Sequence, residues 1–136
     1  MTATTTATLK FTVDAVRVSK VNNPGNLQGL ASVKRGTKVW LMLYYTIDSM
    51  PRTLTRVTSY MVLNHGKPLF SVTYRDKEKA SDVGRFSRYT VYTIPKTLPY
   101  GQYTYHATLT LGGQLRSKSW RFLVGKQERI GRLSTH

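Results

Sequence analysis

Cysteine is absent from the 136 residues, which excludes a disulfide framework, a thiolate nucleophile and any cysteine-ligated metal. Acidic residues are scarce: six Asp and Glu stand against 21 Lys and Arg, for a formal net charge of +15. So few carboxylates leave little material for paired acid–base chemistry, and they leave a positive field uncompensated. Long apolar runs are missing as well. No stretch approaches the roughly 18 uninterrupted apolar residues of a membrane-spanning helix, and the leading MTATTTAT lacks the basic and apolar blocks of a signal peptide. The expectation is a soluble chain without an export address, compatible with association at a surface or particle.

What the chain does have is a period of two. Apolar residues recur at every second position from about Leu9 to Val124, and the breaks are short and rich in Gly and Pro, as a stack of antiparallel strands requires. Hydrophobic residues make up 40%, enough for a core, and nine tyrosines and two tryptophans suit a pleated, half-buried surface. The length fits one domain, 1–125, followed by a basic tail, 126–136.

Leu9, Phe11 and Val13 alternate with polar neighbours and then change phase into Val16 and Val18, as at a bulge or in a strand that switches sheets. Asn22–Gly29 (NNPGNLQG) reads as a loop that leads to Lys34, Arg35 and Gly36. In Thr37–Ile47, Val39, Leu41, Leu43, Tyr45 and Ile47 share one face, while Trp40, Met42 and Tyr44 share the other. A strand apolar on both faces is covered twice, either by the N-terminal segment or by a partner.

Further on, LTRVTSYMVL and PLFSVTY flank a turn at His65-Gly66, which sets Leu63 opposite Pro68, Met61 opposite Phe70 and Val57 opposite Tyr74. DKEKASDVG, with Asp76, Glu78 and Asp82, reads as a solvated connection. Phe86–Ile94 resumes the alternation, with Tyr89 and Val91 out of parity with Phe86 and Tyr92, so it carries a bulge or is covered twice. Gly112-Gly113 joins the clearest pair of strands and sets Tyr105 opposite Trp120 and Tyr103 opposite Phe122. The same register puts Arg116 and Lys118 opposite Leu109 and Ala107, so these long side chains reach a rim or a bulge shifts the pairing.

Seven strands result, roughly 8–20, 37–47, 54–63, 68–75, 86–94, 102–111 and 114–124. They fit an all-β, seven-stranded antiparallel sandwich, with a barrel as competitor. The stretch Ile94-Pro95-Lys96-Thr97-Leu98-Pro99-Tyr100-Gly101-Gln102-Tyr103 resembles the entry to strand F of immunoglobulin-like and fibronectin-III-like domains. That resemblance implies an immunoglobulin-like fold in which the Tyr103 hydroxyl bonds back to the preceding connection, and a role in adhesion, assembly or attachment. The Cys–Trp–Cys arrangement of antibody domains is absent.

No GxSxG elbow, HExxH pattern, phosphate loop or dinucleotide fingerprint occurs, and the Asp76–Asp82 run lacks calcium-loop spacing, so no catalytic residue, metal or cofactor is expected. His65 reads as a turn residue and His106 as a surface side chain. Candidate anion-binding residues are Lys34, Arg35 and Lys38, then Arg116, Lys118 and Arg121, then Lys126, Arg129 and Arg132, with Arg85 and Arg88 forming a further cluster. The last strand and the tail would make these a continuous basic strip. Trp40, Met42 and Tyr44 are the candidate interface. The reading is a non-catalytic structural or protein-interaction module acting in assembly or surface attachment, bound to a protein partner or to copies of itself. The alternative is a nucleic-acid-binding protein, with another acidic polymer as a further partner of the same sign.

Overall fold

Alternation becomes strand almost throughout the chain, giving β1 Lys10–Ser19, β2 Gly29–Lys34, β3 Lys38–Ser49, β4 Leu54–Asn64, β5 Lys67–Glu78, β6 Gly84–Thr93, β7 Gly101–Leu111, β8 Gln114–Gly125 and β9 Arg129–Gly131. The structure is a computed structural model, and it describes residues 8–20 and 29–131. The expected 22–29 loop, apart from Gly29, and residues 132–136 of the tail, including Arg132, lie outside the described residues.

The strands form two sheets packed on one core: three strands in the order β1-β3-β6 and six in the order β5-β4-β7-β8-β2-β9. Their facing surfaces bury Phe11, Val16, Leu41, Leu43, Tyr45 and Ile47 of the small sheet against Tyr60, Val62, Tyr103, Tyr105, Leu109 and Phe122 of the large one. Each of these side chains is almost completely removed from water, a gain of about 1.5–3 kcal/mol for a typical apolar side chain. Tyr105 also donates its hydroxyl across the core to the carbonyl of Met42 at 3.1 Å, which ties the two sheets together.

This architecture corrects the expected seven-stranded, all-antiparallel immunoglobulin-like sandwich. There are nine strands among the described residues, the sheets do not close on each other, and β2 runs parallel to β8, with Ser32, Val33 and Lys34 opposite Leu123, Val124 and Gly125. β9 then pairs antiparallel with β2. The parallel pairing depends on Gly29, because a Cβ there would stand 2.5 Å from the Trp120 ring. With only hydrogen at that position, the indole lies against β2 and donates to the carbonyl of Leu30 at 2.9 Å.

Registers follow the turns. Gly112 and Gly113, at φ 53° and 82°, supply the two left-handed residues of a tight hairpin, and β7 pairs with β8 from Gly101↔Val124 to Leu111↔Gln114 without a shift. Tyr105 therefore faces Trp120, and Arg116 and Lys118 reach the rim. The phase change in β1 is a bulge between Val13 and Ala15. Its Asp14 accepts from Thr12 and Thr46, and its carbonyl accepts from Lys118 Nζ at 3.0 Å. The β4–β5 hairpin does turn at His65-Gly66 and does set Leu63 opposite Pro68. A second bulge leaves Leu69 unpaired, however, so Val62 and Thr58, not Met61 and Val57, face Phe70 and Tyr74, and Tyr60 faces Val72. One extra residue moves the whole inner set by one place. β6 pairs with β3 without a bulge, which leaves Tyr89 and Val91 on the outer face.

The expected solvated connection after β5 is also corrected at its start. β5 continues to Glu78, which is 2% exposed and holds the buried Arg56 of β4 in an ion pair. Tyr45 of β3 donates to the same carboxylate at 3.0 Å, and Arg88 of β6 approaches it to 3.6 Å. Burial opposes the Arg56 charge, but the hydrogen bond and charge of Glu78 outweigh it and leave the guanidinium above its ordinary pKa. Removing one member of such a cluster exposes the rest to uncompensated burial. Glu78→Ala is expected to lower stability by about 3–5 kcal/mol in urea unfolding, and Arg56→Met combined with Glu78→Leu to recover much of that loss.

The buried phenols predict an alkaline limit. Burial pushes Tyr60 up from 10.0 to about 12 and Tyr105 well above its ordinary value. Because the unfolded chain releases these protons first, the stabilisation is complete below pH 10 and is lost as pH rises through about 12. Tyr60 alone accounts for roughly 2–3 kcal/mol. The phenolate absorbance of these buried side chains should therefore rise together with loss of the fold.

Candidate functional site

Strand ends and turns, not strand faces, gather the charge. At one end of the molecule Gly36 N–H donates to Ile94 O at 2.7 Å and Ile94 N–H to Thr37 O at 2.9 Å, which closes the β2–β3 turn onto the segment between β6 and β7. Lys34 ends β2 and Arg35 follows it in this turn, Lys38 opens β3, Lys96 lies against Gly36, and Lys126 follows Gly125, the register partner of Lys34. Lys67, at the β4–β5 turn, lies nearby in a depression shared with Leu98, Pro99 and Tyr103. All six cations are exposed.

Carboxylates avoid this end. Asp48, Asp76, Glu78 and Asp82 belong to the opposite end, where β3 and β5 finish and β6 begins, and Asp14 sits midway along β1. Glu128 alone is near the cationic end, and Lys20 holds it at 3.2 Å. Cations occur at both ends, as Lys10, Arg75, Lys77, Lys79 and Arg85 show at the far one, but carboxylates accompany them there, whereas the cations of this pole share it with a single carboxylate that is already paired.

Within the pole Arg35 is held firmly. Its Nε donates to Leu98 O at 2.6 Å, and its guanidinium carbon lies 3.8 Å from the centre of the Tyr100 ring. Tyr100 keeps 50% of its surface exposed. The loop that carries it is tied down by Tyr103, whose hydroxyl donates to Pro99 O at 2.6 Å, and by Leu98 N–H on Pro95 O at 3.2 Å. The bond from Tyr103 back to the preceding connection is thus present, although the fold around it is not the seven-stranded one.

The other candidate cations separate. Even-numbered residues of β8 share the inner face, so Arg116 covers the Phe11 ring at 5.2 Å and Lys118 binds the β1 bulge, while Arg121 points outward beside Thr104. Alternation along β8 therefore prevents one continuous strip. Arg129 lies in β9 and lines a shallow depression of about 440 Å³ with Lys126, Ser32, Gln127 and Leu123, next to the pole. Of the second basic cluster, Arg88 is drawn to Glu78 and Arg85 opens β6 at the far end.

Trp40, Met42 and Tyr44 do share the outer face of the small sheet. Met42 is fully buried and Tyr44 is 8% exposed, so Trp40 is the one of the three with substantial free surface. By register its neighbours on β6 are Val91 and, beside Met42, Tyr89, which are 36% and 46% exposed. Lys38 places its ammonium 5.9 Å from the Trp40 ring centre, so this aromatic edge adjoins the pole. The outer face of the large sheet is instead lined with hydroxyls: Thr73, Ser59, Thr108 and Ser117 form one rung across four strands, and His106 bonds Ser119 at 2.7 Å.

Lys67, Lys96 and Tyr100 belong to the site but stand isolated in the sequence. The available signal is topological: each occupies a turn at the same end of the alternating strands as Lys34 and Lys38. Among the described residues no three His, Asp or Glu are placed to hold a metal ion, and no helix is long and apolar enough to cross a membrane.

No family model and no curated protein matches the chain. Among solved structures it is similar to the alkylpurine DNA glycosylase AlkC of Pseudomonas fluorescens, in a structure bound to DNA containing an abasic site analogue. The TM-score is 0.51 and the identity 12%, over 84% of this chain and 30% of that one. It is similar also to Spo0M, a sporulation control protein of Bacillus subtilis, with TM-score 0.51 and 10% identity over 91% of this chain and 51% of that one. The chain therefore spans about a third and about half the length of these two, and the likeness is one of fold.

The Tyr103 bond should matter locally more than globally. Tyr103→Phe is expected to cost about 1 kcal/mol in urea unfolding. Amide exchange should accelerate mainly at residues 95–101, where the loop presents Lys96 and Tyr100.

Proposed function

We propose that this chain is a non-catalytic attachment module that docks an acidic partner on its cationic pole. The observation that carries the reading is the uneven placement of carboxylates: Lys34, Arg35, Lys38, Lys67, Lys96 and Lys126 converge where the one carboxylate is already paired with Lys20. A field of one sign at one end steers and orients an anionic partner before contact. The partly exposed Trp40 with Val91 beside Lys38 adds apolar area that charge alone does not supply. Two like poles repel, so this end suits a partner of opposite charge better than a second copy. The different roles of the two solved proteins with a similar fold mean that fold alone does not assign the task.

Binding to an acidic polymer, polyglutamate or polyphosphate, measured across ionic strength tests the reading. The triple variant Lys34→Gln, Lys38→Gln, Lys126→Gln is expected to weaken binding and to lower the salt slope by roughly one per lysine that contacts the polymer. Removing the same charge at the far end, with Lys10→Gln, Lys79→Gln and Arg85→Gln, should change the slope much less. Equal effects from the two triples would show that only net charge matters and would overturn the assignment.

A further inference from the structure

The pole is more than a set of charges, because two of its cations lie against aromatic rings. Lys38 is over Trp40 and Arg35 over Tyr100, while Lys34 pairs in register with the residue before Lys126, which lines the depression with Arg129. Ammonium groups alone account for attraction to any anion, whereas a half-exposed ring held under a guanidinium adds a face on which a planar group stacks. A chain of phosphates carrying unpaired bases needs both: cations spaced along its backbone and planar groups on which bases stack.

We infer that the acidic partner is a single-stranded nucleic acid, seated across the β2–β3 turn with a base stacked on the Arg35–Tyr100 pair and phosphates on Lys34, Lys38 and Lys96. This rests on the attachment reading and narrows its partner. Three features of the geometry favour it. The Arg35 guanidinium carbon already lies 3.8 Å over the centre of the Tyr100 ring and its Nε is fixed on Leu98 O, so the pair is assembled before binding. No carboxylate lies within ion-pair distance of Arg35 among the described residues, which leaves its charge to a phosphate. The turn and the loop beneath it are closed by the Gly36–Ile94, Ile94–Thr37 and Tyr103–Pro99 hydrogen bonds, so little ordering is required when the strand arrives. A duplex satisfies the cations but keeps its bases stacked within itself, where the ring and the guanidinium cannot reach them.

The test compares three probes at equal phosphate concentration by fluorescence anisotropy or competition at fixed salt: a single-stranded pyrimidine oligonucleotide, the same sequence as a duplex, and inorganic polyphosphate. The oligonucleotide should bind at least about tenfold more tightly than polyphosphate, since each stacked base contributes on the order of 1–3 kcal/mol. Tyr100→Leu, at a half-exposed position, should weaken oligonucleotide binding about 5- to 100-fold while leaving polyphosphate within about twofold. Arg35→Lys, which keeps the charge and loses the plane, should act in the same direction. Equal affinity for oligonucleotide and polyphosphate, preference for the duplex, or an equal loss on all probes in Tyr100→Leu would overturn this inference and leave the attachment reading standing. Failure to bind any of the three, and polyglutamate as well, would overturn both.

Discussion

A three-stranded sheet cannot cover a six-stranded one, and that mismatch governs most of the remaining structure. Strand β3 lies over the centre of the large sheet, with the Tyr105 hydroxyl reaching its Met42 carbonyl, and β1 and β6 lie on either side. β1 is the edge of the small sheet and meets the inner face of β8 there, with β2 and β9 continuing the large sheet past it. Large amphipathic side chains take over there: Trp120 fills the space against Gly29, Arg17 lies 4.8 Å over the indole, and Arg116 and Lys118 lay their aliphatic stems across the gap to reach Phe11 and the Asp14 carbonyl. Long cations on an inner face are therefore not an error of patterning but the covering layer of an overhang. The donation from Lys118 also occupies a carbonyl on the free edge of β1, which helps keep that edge from pairing with another chain.

On the opposite side, where the chain passes from β5 in the large sheet to β6 in the small one, the gap is closed by aromatics and one ionic cluster. Phe70 packs on Tyr92 with ring centres 4.6 Å apart, Tyr45 on Phe86 at 5.5 Å, and Tyr74 shares a hydrogen bond with Thr90. Glu78 then joins β3, β4, β5 and β6 through Tyr45, Arg56 and Arg88. An apolar residue could fill that volume, but it would not require these four strands to meet in one register. The cluster thus works as a positional constraint whose net contribution to stability is smaller than the cost of breaking it.

Legibility in the sequence followed turn chemistry. Two adjacent glycines leave one register for β7 and β8, and the pairs Tyr105–Trp120 and Tyr103–Phe122 could be read directly. His65-Gly66 fixed the first pair of its hairpin, but the unpaired Leu69 has no distinctive residue to announce it, so the facing set was read one place out. β2 was invisible because its few apolar residues follow a loop composition and its partner, β8, is about ninety residues away and parallel; only the contact between Gly29 and Trp120 selects it. Glu78 was legible in principle. The parity of Phe70, Val72 and Tyr74, carried four residues further, points it inward, yet its neighbours Lys77 and Lys79 made the segment read as solvated. Lys34, Arg35 and Lys38 could be seen as a cluster, whereas their convergence with Lys96, Lys126 and Tyr100 depends on topology.

Strand alternation also explains why the exposed cations gather at the end of this molecule. A cation within a strand inherits a face from its parity, and in β8 that rule sends Arg116 and Lys118 inward and Arg121 outward, so no run of basic residues along a strand can present one surface. Turns escape the rule. Their side chains project along the strand axis whatever the parity of the flanking residues, and successive turns at one end are brought within reach of one another by the register of the sheets. The Gly36–Ile94 and Ile94–Thr37 bonds join two such turns across the small sheet, and the Ser32–Val33–Lys34 pairing with β8 brings in the large one. The missed strand β2 is therefore the element that completes the pole: without its parallel pairing Lys34 and Arg35 would have no fixed position relative to Lys126, and the charge would be spread over a loop instead of concentrated beside Tyr100.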